Sequence, residues 1–443
     1  MPVFGGPWWP RTLQAFRKDP LGTLMAAQQR GPVVRLRMAP MPVYLISEPE
    51  HVEQIMQTRH HGYSHDTPAH EVLRLFLGTG LTTSDGEFWR RQRRLAQPAF
   101  RRDRIAGFAT TMSSLAAESC REWRRVAQAG ATVDMAPHMY DVMMRISAKT
   151  LLSVELHDSS GEFEEGVSEI SGFITRRVSQ VIRAPLWLPL PRHLDFRRRS
   201  RRLDEIVLGI IEQRRRADAE HEDLLAMLMS AKDAETGEAM TDRQLRDEVL
   251  TMLVAGHETT ANAMIWTLYL IARHPEVLDE LVGEYDRVLD RRPPTLDDVS
   301  RLTYARRVIM ESLRLYPPSW SIARTCKHGD TLGEHHLRPK SMVLISPWVT
   351  HRCPHIWPEP TVFDPDRFTE DRSKGRPRYA HFPFGGGPRQ CIGKEFALLA
   401  MQIILASMLS HVRPELAAGH RMEPEPHITL RARHGLRMQL HPR

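Results

Sequence analysis

Apolar residues recur at helical spacing through most of the chain, and the longest such run lies near its middle. Thr241 to Pro275 reads TDRQLRDEVLTMLVAGHETTANAMIWTLYLIARHP, with Thr241 placed to cap its start and Pro275 following its end. At 1.5 Å per residue this predicts a helix of ~50 Å, enough to cross a whole domain. The centre of the run is apolar except for Gly256, His257, Glu258, Thr259 and Thr260. The same periodicity predicts helices from Ile105 to Val126, from Met135 to Val154, from Glu162 to Ile182, from Ile206 to Arg216, from Leu302 to Leu315 and from Lys394 to Leu409. In the second of these, Met139, Val142, Met143, Ile146 and Leu151 are core candidates. Shorter helices are predicted after Asp19-Pro20 up to Gly31, from Pro49 to Met56 and from Gly86 to Phe100.

Strand signals are fewer. VVRLRM and VYLIS flank a proline-containing turn at Ala39 to Met41. Ser321 to Thr325 and Ser341 to Pro347 read as two more strands, and ITLRARHGLRMQL as a hairpin around His434-Gly435. His60 to Leu81 carries no clear pattern. APLWLPLPRHLDF is broken by three prolines, and Ala231 to Met240 reads as a polar hinge. The chain is thus mainly α with a small β region.

Composition narrows the classes. Of the 443 residues 41% are apolar, which supports a large core, and the formal charge of +7 is mild for this size. No stretch is long and apolar enough for a membrane anchor, and the start lacks the apolar centre of a signal peptide. Cys120, Cys326, Cys353 and Cys391 are too dispersed for a disulfide framework, which fits a reducing compartment. Arg197 to Leu203, RRRSRRL, has no DNA-binding pattern beside it and reads as a solvated helix face, so no nucleic acid is expected. The apolar loop before it also suits contact with a membrane surface. His257-Glu258 lacks the second histidine of a zinc-protease helix, since Ala261 stands there. His351, Cys353 and His355 lack a fourth ligand nearby and read as structure.

The candidate chemistry is concentrated in HFPFGGGPRQCIG, His381 to Gly393. Cys391 stands where a glycine-rich loop turns into a buried helix, whose N-terminus favours a thiolate. Gly385, Gly386 and Gly387 allow close approach of something flat, and Arg389 can meet an anion on it. Taken alone, a buried structural cysteine would explain this loop equally well.

Phe384, Gly387, Arg389, Cys391 and Gly393 together resemble the haem-binding signature of the cytochrome P-450 family. Four further stretches are similar to that family. Ala255-Gly256-His257-Glu258-Thr259-Thr260 resembles its oxygen-activation motif. Glu311 with Arg314, and Arg367 in FDPDRF, resemble the elements of its buried ion network. Trp89 and Arg93 resemble its propionate-holding pair. The resemblance implies the cytochrome P-450 fold as one domain over residues 1–443, with haem b as cofactor and Cys391 as the ligand of its iron. Trp89, Arg93, Ala255, Arg324, Phe384, Arg389 and Gly393 would contact the haem. Thr259 would bond the bound dioxygen and Glu258 would help deliver protons. It further implies a cytoplasmic, soluble bacterial-type monooxygenase. This enzyme would act as a monomer on a hydrophobic terpene, fatty acid, steroid or polyketide, with electrons from ferredoxin and its reductase. Arg90, Arg91 and Arg94 would steer that acidic partner. A peroxide-driven peroxygenase, or a haem-thiolate isomerase or dehydratase, would share the cysteine loop; the acid–alcohol pair at Glu258 and Thr259 argues for O2.

Overall fold

The computed structural model describes residues 1–6, 9–38, 41–155, 160–178, 180, 183–216, 223–233 and 235–443. The turn expected at residues 39–40 and the helix end expected at Ile182 lie outside the described residues. The long apolar run forms one helix, Asp242–Arg273, and the rest of the molecule is arranged around it. Thr241 and Gln244 cap it reciprocally, side chain to backbone, and Pro275 opens the next helix, Pro275–Leu289. Trp266 of the central helix stacks on Tyr316 at 4.1 Å and donates to Leu430 O at 3.0 Å. Thr267 donates to Ser312 at 2.9 Å on the helix Thr303–Leu315. The cysteine loop is followed by the helix Lys394–Leu409, buried from Leu398 onward. This helix needs no polar face because it lies within the main core.

The largest part of the β region is a six-stranded sheet in which Val3–Phe4, Val33–Leu36, Val43–Ile46, Met342–Ile345, Ile322–Cys326 and Tyr63–Ser64 neighbour one another in that order. It packs to one side of the helices with cores of its own.

Three local expectations change. Pro68–Leu77 is a helix in the stretch that carried no clear pattern: Thr67 caps it, Pro68 sits at its first turn, and Val72, Phe76 and Leu77 supply its buried face. His70, Glu71 and Arg74 masked its short apolar stripe. The expected hinge at 231–240 is a tied turn. Asp233 accepts the Glu235 and Thr236 N–H groups, at 3.1 and 3.0 Å, and pairs with Arg94 at 3.0 Å. Lys232 bridges Ala239, and Ala234 lies outside the described residues. The C-terminal hairpin pairs Pro424–Pro426 with Leu430–Ala432, so its tip is His427 to Thr429. At Gly435, φ is +65° and a Cβ would lie 2.2 Å from the Asp134 carboxylate, which also accepts the Leu436 N–H at 2.7 Å. That bond draws the chain away, and Arg437–Pro442 pairs instead with Val412–Leu416.

One carboxylate ties the central helix to the loop after Leu77. Glu248 is buried, and its only hydrogen bond among the described residues is from Leu81 N–H at 3.1 Å, leaving its other oxygen without a partner. Burial pushes its carboxyl up to about 7; the Leu81 N–H opposes this and Asp247 adds to it. In the unfolded chain a glutamate titrates near ~4.3. Between about pH 4 and pH 7 the unfolded chain therefore gives up a proton that the folded protein keeps, and stability falls as pH rises through that window. Glu248→Gln keeps an oxygen for Leu81 N–H and removes the penalty. Its melting temperature should exceed that of the unaltered protein by several degrees at pH 8 and by clearly less at pH 5. Equal gains at both pH values would count against an ionisable Glu248.

Candidate functional site

The loop carrying Cys391 is shaped by its own backbone. Cys391 N–H donates to Phe384 O at 2.9 Å, Gly385 N–H to Phe382 O at 2.9 Å and Gln390 N–H to Gly387 O at 3.1 Å. Two of its glycines serve the protein and not a ligand. At Gly387, φ is +62° and a Cβ would lie 1.9 Å from Met56 O; at Gly386 it would lie 2.3 Å from the Tyr379 ring. Gly385 and Gly393 meet nothing closer than 3.6 Å. The Cys391 thiol is exposed only to the interior cavity that it lines. Burial pushes this thiol up; the Gly393 N–H, Arg93 and Lys394 act in the opposite direction. Burial thus opposes a thiolate at this helix N-terminus, and a cation at the sulfur would favour one.

The loop is mounted on a buried ion network. Glu311 and Arg314 are fully buried and paired at 2.6 Å, and Arg367 Nε lies 3.4 Å from Glu311. The Arg314 guanidinium also donates to His351 O, Pro360 O and Val362 O, at 2.8, 2.7 and 3.0 Å. His351 carries the restraint onward: its Nε2 accepts the Phe382 N–H at 3.0 Å. Burial, with His381 and Arg314 beside it, holds His351 well below the usual imidazole range, so its ring is neutral and free to accept. Sequence reasoning gave His351 no more than a general structural part.

A cationic rim surrounds the cavity near Cys391. Arg389 lies 3.8 Å above the Trp89 ring and donates to Asp85 at 2.6 Å and to Ser84 O at 2.9 Å. Arg93 donates to Gln390 O at 3.1 Å. Arg324 is buried and bonded to Ala323 O at 2.8 Å. Burial and the nearby Arg389 pull its guanidinium down to about 9 against the opposing Asp85. His65 lines the same space with both ring nitrogens buried and without a partner. Donors outnumber acceptors around the single carboxylate of Asp85. An uncompensated buried cation is costly, so this rim fits a group that brings carboxylates of its own, as haem does. Arg324 and His65 provide the strongest test of that fit. His65 is a residue the sequence did not reveal, because nothing in YSHD marks it as buried.

The cavity itself measures about 1080 Å³. Ala255, Gly256, Thr259 and Thr260 of the central helix line it, together with Phe384, Arg389, Cys391 and Gly393. Six methionines, Met38, Met41, Met56, Met252, Met342 and Met401, are among its apolar lining. The hairpin tip reaches it through His427 and Ile428. Thr259 Oγ1 donates to Ala255 O at 2.6 Å, so the hydroxyl sits at the cavity surface with acceptor capacity remaining.

Glu258 does not share that direction. One residue along a helix turns about 100°, and its carboxylate points into a buried network behind the cavity wall. It accepts from Thr429 at 2.5 Å, from Arg431 at 2.8 Å and from Ser171 at 3.4 Å. Glu258, expected to help deliver protons, is thus held by Arg431, Thr429 and Ser171, while Thr259 lines the cavity. Arg90, Arg91 and Arg94, expected to steer an acidic partner, pair with Glu87, with Glu238, and with Asp233 and Glu235, respectively.

Against known proteins, the cytochrome P450 family model matches residues 3–438. Cyclooctatin synthase of Streptomyces melanosporofaciens is 36% identical over 423 residues, covering 94% of this chain and 90% of that protein. Cyclooctat-9-en-7-ol 5-monooxygenase of the same organism is 35% identical over 417 residues, covering 94% and 88%. A solved cytochrome P450 haem domain superposes with a TM-score of 0.90 at 25% identity, over 100% of this chain and 98% of that one.

Removing one partner of the buried network leaves a charge unpaired, at a cost of about 3–5 kcal/mol. Glu311→Ala should therefore yield little haem-loaded protein and unfold at markedly lower denaturant, while Arg307→Ala on the same helix, whose pair with Asp366 is partly exposed, should behave nearly as the unaltered chain. Unchanged haem content and unfolding midpoint in Glu311→Ala would remove the network from this role.

Proposed function

The chain belongs to the cytochrome P450 family of monooxygenases, and on that premise we propose that it hydroxylates the carbon skeleton of a hydrophobic, cyclic small molecule. The observation that carries this reading is one largely apolar cavity whose lining includes both Cys391 and Thr259. The net reaction consumes O2, two electrons and two protons, places one oxygen atom in a C–H bond and releases the other as water. The names of the two relatives, one of which refers to a cyclic unsaturated alcohol, support a cyclic substrate with few polar groups, and a terpene is one such molecule.

Cys391 would ligate the iron of haem b, and Arg93, Arg324, Arg389 and His65 would hold its carboxylates, with Trp89 as the surface on which Arg389 stacks. When bound, haem b supplies the O2-activating redox chemistry, to which thiolate donation contributes by favouring O–O cleavage. Ala255, Phe384 and Gly393 leave room for its ring. Thr259 is the catalytic residue of the chain: by exchanging its bond to Ala255 O for one to the reactant, it can pass a proton where oxygen is reduced. Glu258 is a positioning residue. It fixes Arg431 and Thr429 on the hairpin, and through them the wall that the hairpin tip adds to the cavity. Ferredoxin and its reductase would supply the electrons to a cytoplasmic monomer acting as a single catalytic unit.

Two substitutions test the assignment. Cys391→Ala should abolish the thiolate-type carbon monoxide difference spectrum of the reduced protein; a full thiolate signal in that variant would assign the ligand elsewhere. Thr259→Ala should still take up haem and substrate, but product formed per electron pair should fall about tenfold or more while released hydrogen peroxide rises to match. Unchanged coupling would take the proton-transfer role away from Thr259.

A further inference from the structure

A second, smaller pocket lies apart from the cavity at Cys391, and four parts of the chain converge on it. Arg124 and Gln128 belong to the helix Ala109–Ala129, and Arg291 to the turn after Pro275–Leu289. His411 follows the helix Lys394–Leu409, and Pro442 and Arg443 lie at the end of the strand Arg437–Pro442. None of these residues lines the cavity at Cys391. The pocket measures about 280 Å³. Three arginines and a histidine thus meet at one concavity, and no acidic side chain lines it.

Its framework is tied down. Arg443 N–H donates to His411 O at 3.0 Å, where Arg437–Pro442 pairs with Val412–Leu416. The Arg443 guanidinium pairs with Asp286 at 2.7 Å and donates to Leu409 O. Arg291 stands in a turn of two successive left-handed residues, Asp290 at φ +47° and Arg291 at φ +62°. Neither is a glycine, so the turn is held against the preference of its own residues. Arg124 and Arg291 are exposed and form no hydrogen bond or ion pair among the described residues. Their charges nevertheless act on His411. Burial, and after it Arg124, Arg291 and Arg443, hold its ring below the usual imidazole range. Arginines on an ordinary solvated face diverge into water. These converge on one imidazole, and two of them lack a counter-charge.

We propose that this pocket binds a phosphate dianion, either free inorganic phosphate or the phosphate group of a small monoester. Arg124 and Arg291 leave two positive charges unmet, and a phosphate monoester carries about −1.5 to −2 at pH 7. A carboxylate, with a single charge, would satisfy only one of them. The guanidinium fork also matches phosphate oxygens two at a time. The Gln128 amide and a neutral His411 ring offer further N–H donors. Drug-sized ligands occupy pockets of ~300–1,000 Å³, so the organic part of a monoester bound here is small. Occupancy would join the helix Ala109–Ala129, the turn at Arg291 and the last strand through one anion, and so stabilise the folded chain by mass action. The site is independent of the function proposed above.

Isothermal titration of the haem-loaded protein tests this, at ~0.15 M ionic strength with sodium chloride as the matched control. Inorganic phosphate and glycerol 3-phosphate are the probes, and at least one should bind saturably, once per chain. Arg124→Gln with Arg291→Gln should weaken that binding about tenfold or more. Haem content, the carbon monoxide spectrum and the melting temperature without ligand should stay unchanged in that variant. Arg102→Gln with Arg121→Gln removes the same charge from exposed arginines outside the pocket and should leave the affinity within about twofold. The two probes separate the sources: tighter binding of glycerol 3-phosphate assigns a monoester, and otherwise the ligand is free phosphate. Saturable binding of neither probe would overturn the proposal, as would equal weakening in both pairs of variants. Acetate binding as tightly as phosphate would overturn the choice of a dianion. None of these outcomes depends on oxygenation, so the substrate reading can fail without touching this one.

Discussion

The pairing of Glu311 with Arg314 is the constraint on which the site depends. Both side chains are fully buried, a location in which an isolated charge is severely penalised. The penalty is offset only because every donor of Arg314 is used, on Glu311 and on three backbone carbonyls of the 351–364 loop. Such a pair contributes less to stability than to uniqueness, since no other arrangement of these loops would satisfy so many buried groups. From it the restraint passes in two directions. Ser312, one residue after Glu311, holds Thr267 of the central helix. His351 holds Phe382, whose carbonyl fixes Gly385 at the entrance of the cysteine loop. The thiol and the hydroxyl that face one cavity are therefore referenced to the same helix, Thr303–Leu315.

The cationic rim follows the opposite logic. Arg314 is complete in itself, whereas Arg324 and His65 are incomplete, with buried donors and too few acceptors. A saturated network maintains shape; an unsaturated one waits for a ligand. The contrast separates structural from binding arginines within one molecule, although their residue type and burial are alike.

Much of this was legible in the residues. The long central helix and its cap follow from apolar spacing and Thr241, and the position of Cys391 at a loop–helix junction follows from glycines preceding an apolar run. What could not be read was direction and partnership. Glu258 and Thr259 are adjacent in sequence, but the helix sends them to different sides, and the partner of Glu258 is Arg431, distant in the chain. Gly386 and Gly387 looked like space for a ligand, yet Tyr379 and Met56 fill that space. His65 and the turn at Gly435 are set by contacts with Arg324, Arg389 and Asp134 that no local pattern encodes. The helix Pro68–Leu77 had legible ends, Thr67-Pro68 and Gly78, and an apolar stripe too short to stand out between them.

If oxygen is reduced in this cavity, the methionines in its lining would give the protein a finite working life. Six thioethers line the space in which oxygen would be reduced, and their flexible, polarisable side chains adapt to a bulky hydrocarbon better than branched ones would. The same sulfur atoms react with peroxide, each taking up one oxygen atom to become a sulfoxide as the peroxide is reduced to water. Every uncoupled cycle thus exposes the wall to its own by-product, and each hit replaces an apolar surface by a polar, chiral one. Wear would accumulate where substrate fits worst, so that the oxidation state of Met38, Met41, Met56, Met252, Met342 and Met401 becomes a cumulative record of how well past substrates filled the cavity.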